Sequence, residues 1–245
     1  MVRYDVYSES NSIGPGHSEN QDSYFADLAT LVFAVADGVG GYQGGKEASE
    51  QSMAALRNKA GEIQSESSMK SCLEEIHEQL LHTAKSLNHQ NMGTTIAVAK
   101  VLPNYSTGIG GKIVVGNAGD SPILFFPASA SDGMGSDSYR KVSADDSLRD
   151  QSPGSMWGVT QYLGIETQEL RVHTSTFDFQ SDDTMLICSD GVSDNLLGGR
   201  VYSQRRSVGD ISELVRRSRS AQKIVEEALH AGIKPDDMTA LLVFL

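Results

Sequence analysis

Apolar positions along the chain follow two periods, and the change from one to the other divides it. Val2, Tyr4 and Val6 stand between polar neighbours, which predicts a half-buried strand over 3–8. Residues 11–16, NSIGPG, have turn chemistry. From His17 the segment HSENQDSYFAD leads into a hairpin whose return strand is 31–41, LVFAVADGVGG. Residues 31–36 are apolar without alternation, the pattern of a strand buried on both faces. That run ends in Asp37, and Gly38, Gly40 and Gly41 around it allow a sharp turn and close approach of a ligand.

Two helices are expected next. The first covers 46–63, with Ala48, Ser52, Ala55 and Lys59 on one face and Met53, Leu56, Ala60 and Ile63 beside it. The second starts from Ser67 and Ser68 as capping residues and spaces Met69, Leu73, Ile76, Leu80, Ala84 and Leu87 at three- and four-residue intervals. Together they predict a helical hairpin layer. Residues 93–101, 112–115 and 122–126 are rich in β-branched and aromatic side chains and read as antiparallel neighbours. Residues 128–138 have a loop composition, and 141–158 read as a mobile surface loop. Strand pattern returns at 170–177 and 184–189, helices are expected at 208–217 and 221–230, and the last strand is 239–245. This order predicts an α+β fold of antiparallel sheets covered by helices rather than a doubly wound parallel sheet.

Composition narrows the class. A chain of 245 residues buries one sizeable core, so 1–245 is expected to form a single domain. The first residues lack the apolar segment of a secretory signal, and no stretch reaches the length of a bilayer span, which predicts a cytoplasmic protein. A net charge of −12 disfavours nucleic acid and anionic membrane as partners. Cys72 and Cys188 lie far apart without paired ligand spacing, so neither a zinc site nor a disulfide is suggested.

Aspartates recur where apolar strands end. Besides Asp37, Asp120 follows IVVGNAG, Asp190 follows TMLICS, Asp236 and Asp237 precede the last strand, and Asp22 precedes the strand that pairs with 31–36. These are either independent turn residues or a convergent cluster. Convergence at one sheet edge requires neutralisation, since like charges brought together repel. An all-oxygen donor set points to Mg²⁺ or Mn²⁺, with Ca²⁺ an alternative. Two such ions suit phosphoester hydrolysis.

NQDS at 20–23, VADGVGG at 35–41, GTT at 93–95, GNAGDSP at 116–122, VTQYLG at 159–164, CSDGVSD at 188–194 and PDDMT at 235–239 occur in the order found in metal-dependent Ser/Thr protein phosphatases of type 2C, and the chain resembles that family over nearly its whole length. The resemblance implies a four-layer α-β-β-α sandwich. It implies hydrolysis of phosphoserine and phosphothreonine in proteins, the substrates of Ser/Thr kinases, by a water bridging two Mn²⁺ or Mg²⁺ ions. Asp22, Asp37, the carbonyl of Gly38, Asp190 and Asp236 match the ligand positions, with Asp37 and Asp190 at the reacting centre. Asp120 and Asp194 match the positions that hold a weaker third ion in bacterial members.

Departures from the family pattern open alternatives. His17 stands where the family has a phosphate-gripping Arg, so bidentate capture is lost while a hydrogen-bond donor is retained. Gln21 replaces a Glu, Val39 stands where eukaryotic members have a His, and Asp237 replaces an Asn, its extra charge either altering metal affinity or sitting in solvent. A weak phosphoprotein-binding module and a small-molecule phosphatase are the competing readings. His77, His82 and His89 read as solvent-facing helix residues, and Trp157 either covers the cleft or packs on the sandwich. The arginines Arg200, Arg205, Arg206, Arg216, Arg217 and Arg219 form either a solvated face or a dock for acidic segments.

Overall fold

Strand β3 (Val32–Ala36) is buried at every position, as its unbroken apolar run requires. Val32, Ala34 and Ala36 pack with residues of helices α1 (Gln43–Lys59) and α2 (Glu66–Leu87), whereas Phe33 and Val35 join the core between two sheets. A computed structural model describes residues 1–10, 19–39, 43–88, 92–106, 108–128, 139–147, 158–166, 169–197, 211–232 and 234–245. In its first sheet β10 (His173–Phe179), β7 (Gly111–Ala118), β6 (Ile96–Pro103), β3 and β2 (Ser23–Asp27) lie side by side, all antiparallel.

The second sheet runs β1 (Arg3–Ser10), β12 (Asp237–Phe244), β11 (Thr184–Cys188), β8 (Ile123–Phe126) and β9 (Arg140–Lys141), again antiparallel. Its β12 divides its side chains as β3 does. Leu241 and Val243 face the first sheet's Phe33 and Val35, while Met238, Ala240, Leu242 and Phe244 pack under α3 (Asp190–Leu197), α4 (Ile211–Ser218) and α5 (Ala221–Ala231). The result is helices, sheet, sheet, helices, the α-β-β-α sandwich expected. Each large apolar side chain so buried contributes about 1.5–3 kcal/mol relative to exposure, which explains why the strands of both sheets carry such runs.

Several elements differ from the sequence expectation. Helix α2 is capped by Ser65 rather than Ser67 or Ser68, because Ser65 Oγ accepts the Ser68 N–H while Ser68 Oγ accepts the Ser65 N–H. The run 93–101 is broken at Thr95: β5 (Gly93–Thr94) leaves the sheet to pair with the two-residue β4 (Gly38–Val39). Residues 122–126 were expected beside 93–101 and 112–115, but β8 belongs to the other sheet, paired with β11. Gly119, at φ +112°, takes the turn that carries the chain across. Within the expected loop 141–158, Arg140–Lys141 closes the second sheet and Asp146 is buried.

His77 also departs from its expected exposed position. It is buried, and its Nδ1 accepts the Gly164 N–H at 3.0 Å, fastening the 159–164 motif to α2. Trp157, His89 and the arginines Arg200, Arg205 and Arg206 lie outside the described residues. Of the other arginines, Arg217 pairs with Glu213 at 2.6 Å, Arg216 donates to the Pro127 carbonyl and Arg219 covers the Phe244 ring. No described helix is long and apolar enough to cross a membrane.

Burial lowers the pKa of His77. The stability that its neutral ring contributes is therefore present above the unfolded value of about 6.5 and lost as pH falls through the depressed folded value. His77→Ala leaves the Gly164 N–H unpaired, at a cost of about 1–3 kcal/mol. Denaturant titrations should show that loss in full above about pH 6.5 and a shrinking gap between wild type and variant at lower pH.

Candidate metal centre

Strand register brings the aspartates together. In the first sheet Ser23 lies opposite Ala36, so Asp22 and Asp37 leave it at the same end. In the second, Cys188 lies opposite Ala240, which places Asp190 and Asp236 together just beyond their strands. Asp120 sits on the crossing between β7 and β8, and Asp194, one turn after Asp190, shares a face of α3. Each sheet thus supplies a pair, and the crossing supplies a further carboxylate where the sheets meet.

Hydroxyls and main-chain groups fix these positions. The Asp37 carbonyl accepts the Thr95 N–H and the Thr94 hydroxyl, both at 2.8 Å, while the Asp37 N–H donates to Thr95 Oγ1. Thr95 and Ser121 share a 2.7 Å hydroxyl contact that joins the Asp37 region to the crossing. Ser189 Oγ donates to Asp22 Oδ2 at 2.8 Å and itself accepts the Thr239 N–H. Glycines permit the close packing. A Cβ on Gly38 would lie 2.5 Å from the Gly45 backbone, and one on Gly191 would lie 2.1 Å from the Asp237 carbonyl.

The crossing has its own support. The Gly119 N–H donates to Asp146 Oδ2 at 3.1 Å, and His173 Nε2 meets Asp146 Oδ1 at 3.0 Å. Asn117 ties Gly119 to Ala144 through its side chain. Asp146 and His173 therefore hold the residue next to Asp120, a role no motif in the sequence signalled.

Crowding and burial disturb the carboxylates. Asp22 is pushed up to about 7, chiefly by burial, against the opposing hydrogen bonds of Thr239 and Ser189. Asp37 stands well above the ordinary carboxylate value because it is desolvated and faces the charges of Asp22, Asp190 and Asp236. Burial likewise raises Asp190, with the Lys234 ammonium working the other way, and raises Asp120 to about 7 with help from the Asp190 charge. Asp194 rises for the same reasons. Oδ1 of Asp22 and Oδ1 of Asp190 are buried without a hydrogen-bond donor among the described residues. Surplus anionic oxygens gathered at one edge fit a hard divalent cation.

The cluster therefore contains Asp22, Asp37, Asp120, Asp190, Asp194 and Asp236, and Gly38 follows directly on Asp37. Asp237 does not sit in solvent: it is buried, accepting the Ser10 hydroxyl and the Gln21 N–H, both at 2.7 Å. Gln21 is buried too, against Gly38 and Gly45, and its carbonyl accepts the Ser49 hydroxyl. His17 lies outside the described residues. The sequence reading missed Lys234, whose ammonium lies 2.5 Å from Asp190, 2.8 Å from Asp236 and 3.6 Å from Asp194.

Residues 15–233 match the family model described as protein phosphatase 2C. The serine/threonine phosphatase stp of Listeria welshimeri is 24% identical over 244 residues, covering 93% of this chain and 90% of the relative. The fold matches the Mycobacterium tuberculosis serine/threonine phosphatase PstP/Ppp at TM-score 0.73 and 20% identity, over 100% of this chain and 98% of that one. It also matches the catalytic domain of PstP in complex with two manganese ions, at TM-score 0.70 and 19% identity over 99% and 97% of the two chains.

Gly191 supports a structural test. A methyl at this position strikes the Asp237 carbonyl and presses on Asp236 Cβ, forcing the start of α3 away from β12. Gly191→Ala is expected to lose about 1–3 kcal/mol of stability, as overpacked sites do, read as a lower midpoint in urea.

Proposed function

The chain belongs to the protein phosphatase 2C family of protein-serine/threonine phosphatases, and on that premise we propose that residues 1–245 act as one cytoplasmic catalytic domain that removes phosphate from phosphoserine and phosphothreonine in proteins phosphorylated by a Ser/Thr kinase. The observation that carries this reading is the convergence of Asp22 and Asp37 from one sheet with Asp190 and Asp236 from the other, with buried oxygens of Asp22 and Asp190 left without donors among the described residues. Asp22, Asp37, Asp190, Asp236 and the Gly38 carbonyl would hold two Mn²⁺ or Mg²⁺ ions, and Asp120 with Asp194 a third. When bound, two divalent ions would supply a polarised attacking water and offset the charge on the phosphoryl oxygens.

The protein's own groups set the geometry. Ser189 turns one oxygen of Asp22 toward the second sheet and leaves the other free for an ion. Thr94 and Thr95 hold the Asp37 main chain from both its N–H and its carbonyl, which fixes where its carboxylate starts. A histidine at position 17, in place of the family arginine, lacks the paired planar donors with which a guanidinium grips a phosphate.

Asp37→Asn and Asp190→Asn are each expected to lower Mn²⁺-dependent turnover of p-nitrophenyl phosphate by at least about 100-fold, the upper end for losing a group that only supports a metal ligand. Turnover close to wild type in the purified variants rejects the assignment. Restoring the fork at the phosphate position, His17→Arg should lower KM for a phosphopeptide while leaving kcat nearly unchanged.

A further inference from the structure

The cation already within the aspartate cluster is Lys234. Its ammonium contacts Asp190, Asp236 and Asp194 together, and its side chain is about two-thirds buried, at 30% exposure. Its backbone is pinned as well. Asn195, fully buried on α3, accepts the Lys234 N–H at 2.8 Å and donates to its carbonyl at 2.9 Å, while also donating to the Gly191 carbonyl. The same helix that carries Asp190 and Asp194 thus anchors the main chain of the lysine that pairs with them. Among the described residues no three acidic, imidazole or thiol groups already enclose a point suited to an ion. The ammonium stands between the second sheet's carboxylates, and a divalent ion on Asp190 and Asp236 must compete with it for the same oxygens.

We infer that Lys234 is a tethered counter-cation that occupies the aspartate cluster and is displaced when a divalent ion binds. It keeps Asp190 and Asp236 close in the ion-free protein, where their mutual repulsion otherwise drives them apart. The cost falls on the affinity for an ion held by Asp190 and Asp236, since that ion takes the oxygens the ammonium holds. Coupling of this kind is reciprocal: whatever Lys234 takes from the ion's affinity, the ion takes from the lysine's contacts. The inference rests on Asp190 and Asp236 being ion ligands.

Isothermal titration of Mn²⁺ into metal-free protein tests it. Lys234→Met, which keeps the length of the side chain without its charge, should bind Mn²⁺ about 5- to 150-fold more tightly than wild type, the usual span for coupled sites. Equal or weaker binding by the variant overturns the inference and leaves the ligand assignment standing. Binding of no Mn²⁺ by either protein overturns both. A second measurement needs no variant: acetylation of Lys234 in wild type, followed by mass spectrometry with exposed Lys112 as the internal reference, should speed up when Mn²⁺ is added. A Lys234 rate unchanged by saturating Mn²⁺ refutes displacement.

Discussion

Carboxylates that share a site repel one another, and at the seam of this sandwich the fold gathers them from both sheets. Burial and mutual charge raise Asp22, Asp37, Asp120 and Asp190 away from the ordinary range, each with desolvation as the largest cause. Left alone, such a site favours protonation or opening. Instead the sheet register, the hydroxyls of Ser189, Thr94 and Thr95 and the Lys234 ammonium hold it closed. The cores on either side supply the rigidity that lets this tension persist. Phe33, Phe125, Ile187 and Leu241 lock the sheets face to face, while helices seal their outer surfaces.

The supports of the cluster come from side chains too common to attract notice in a sequence. Serines, threonines and asparagines populate every loop, and only their pairing across the fold separates Ser189, Thr95 and Asn195 from the rest. Asp146 is a clearer case. Within a stretch of loop composition it is buried, accepts the Gly119 N–H and meets His173, so it orders the crossing at the residue before Asp120. Asp237, in turn, uses its charge to bind Ser10 and Gln21, closing β1 and the approach to β2 onto β12. Adjacent acids in one motif thus do different work.

What the sequence made legible follows from period and punctuation. Non-alternating runs at 31–36 and 239–245 marked strands covered on both faces, the three- and four-residue spacing from Met69 to Leu87 marked a helix, and aspartates at strand ends marked an edge with chemistry. Each of these signals is local. Partner choice between strands is not: nothing in 122–126 says that it pairs with 184–188 instead of 112–115, because both faces of both runs are apolar. The cap at Ser65 was obscured by the serines at 67 and 68 within the same turn, and the inward turn of His77 depends on a main-chain N–H that lies far along the chain. Lys234 escaped because lysines mostly face water, and nothing before folding tells that this one meets three acids.

The crossing between the sheets has a mechanical meaning. Asp22 and Asp37 ride on one sheet, Asp190 and Asp236 on the other, and the Thr95–Ser121 contact spans the gap beside the covalent link through Asp120. The spacing of the carboxylates is therefore a gauge of how far apart the sheets stand. A change in the bulk of Phe33 or Phe125, neither of them in the cluster and both buried in the interleaf core, therefore reaches the carboxylates as a shift in that spacing.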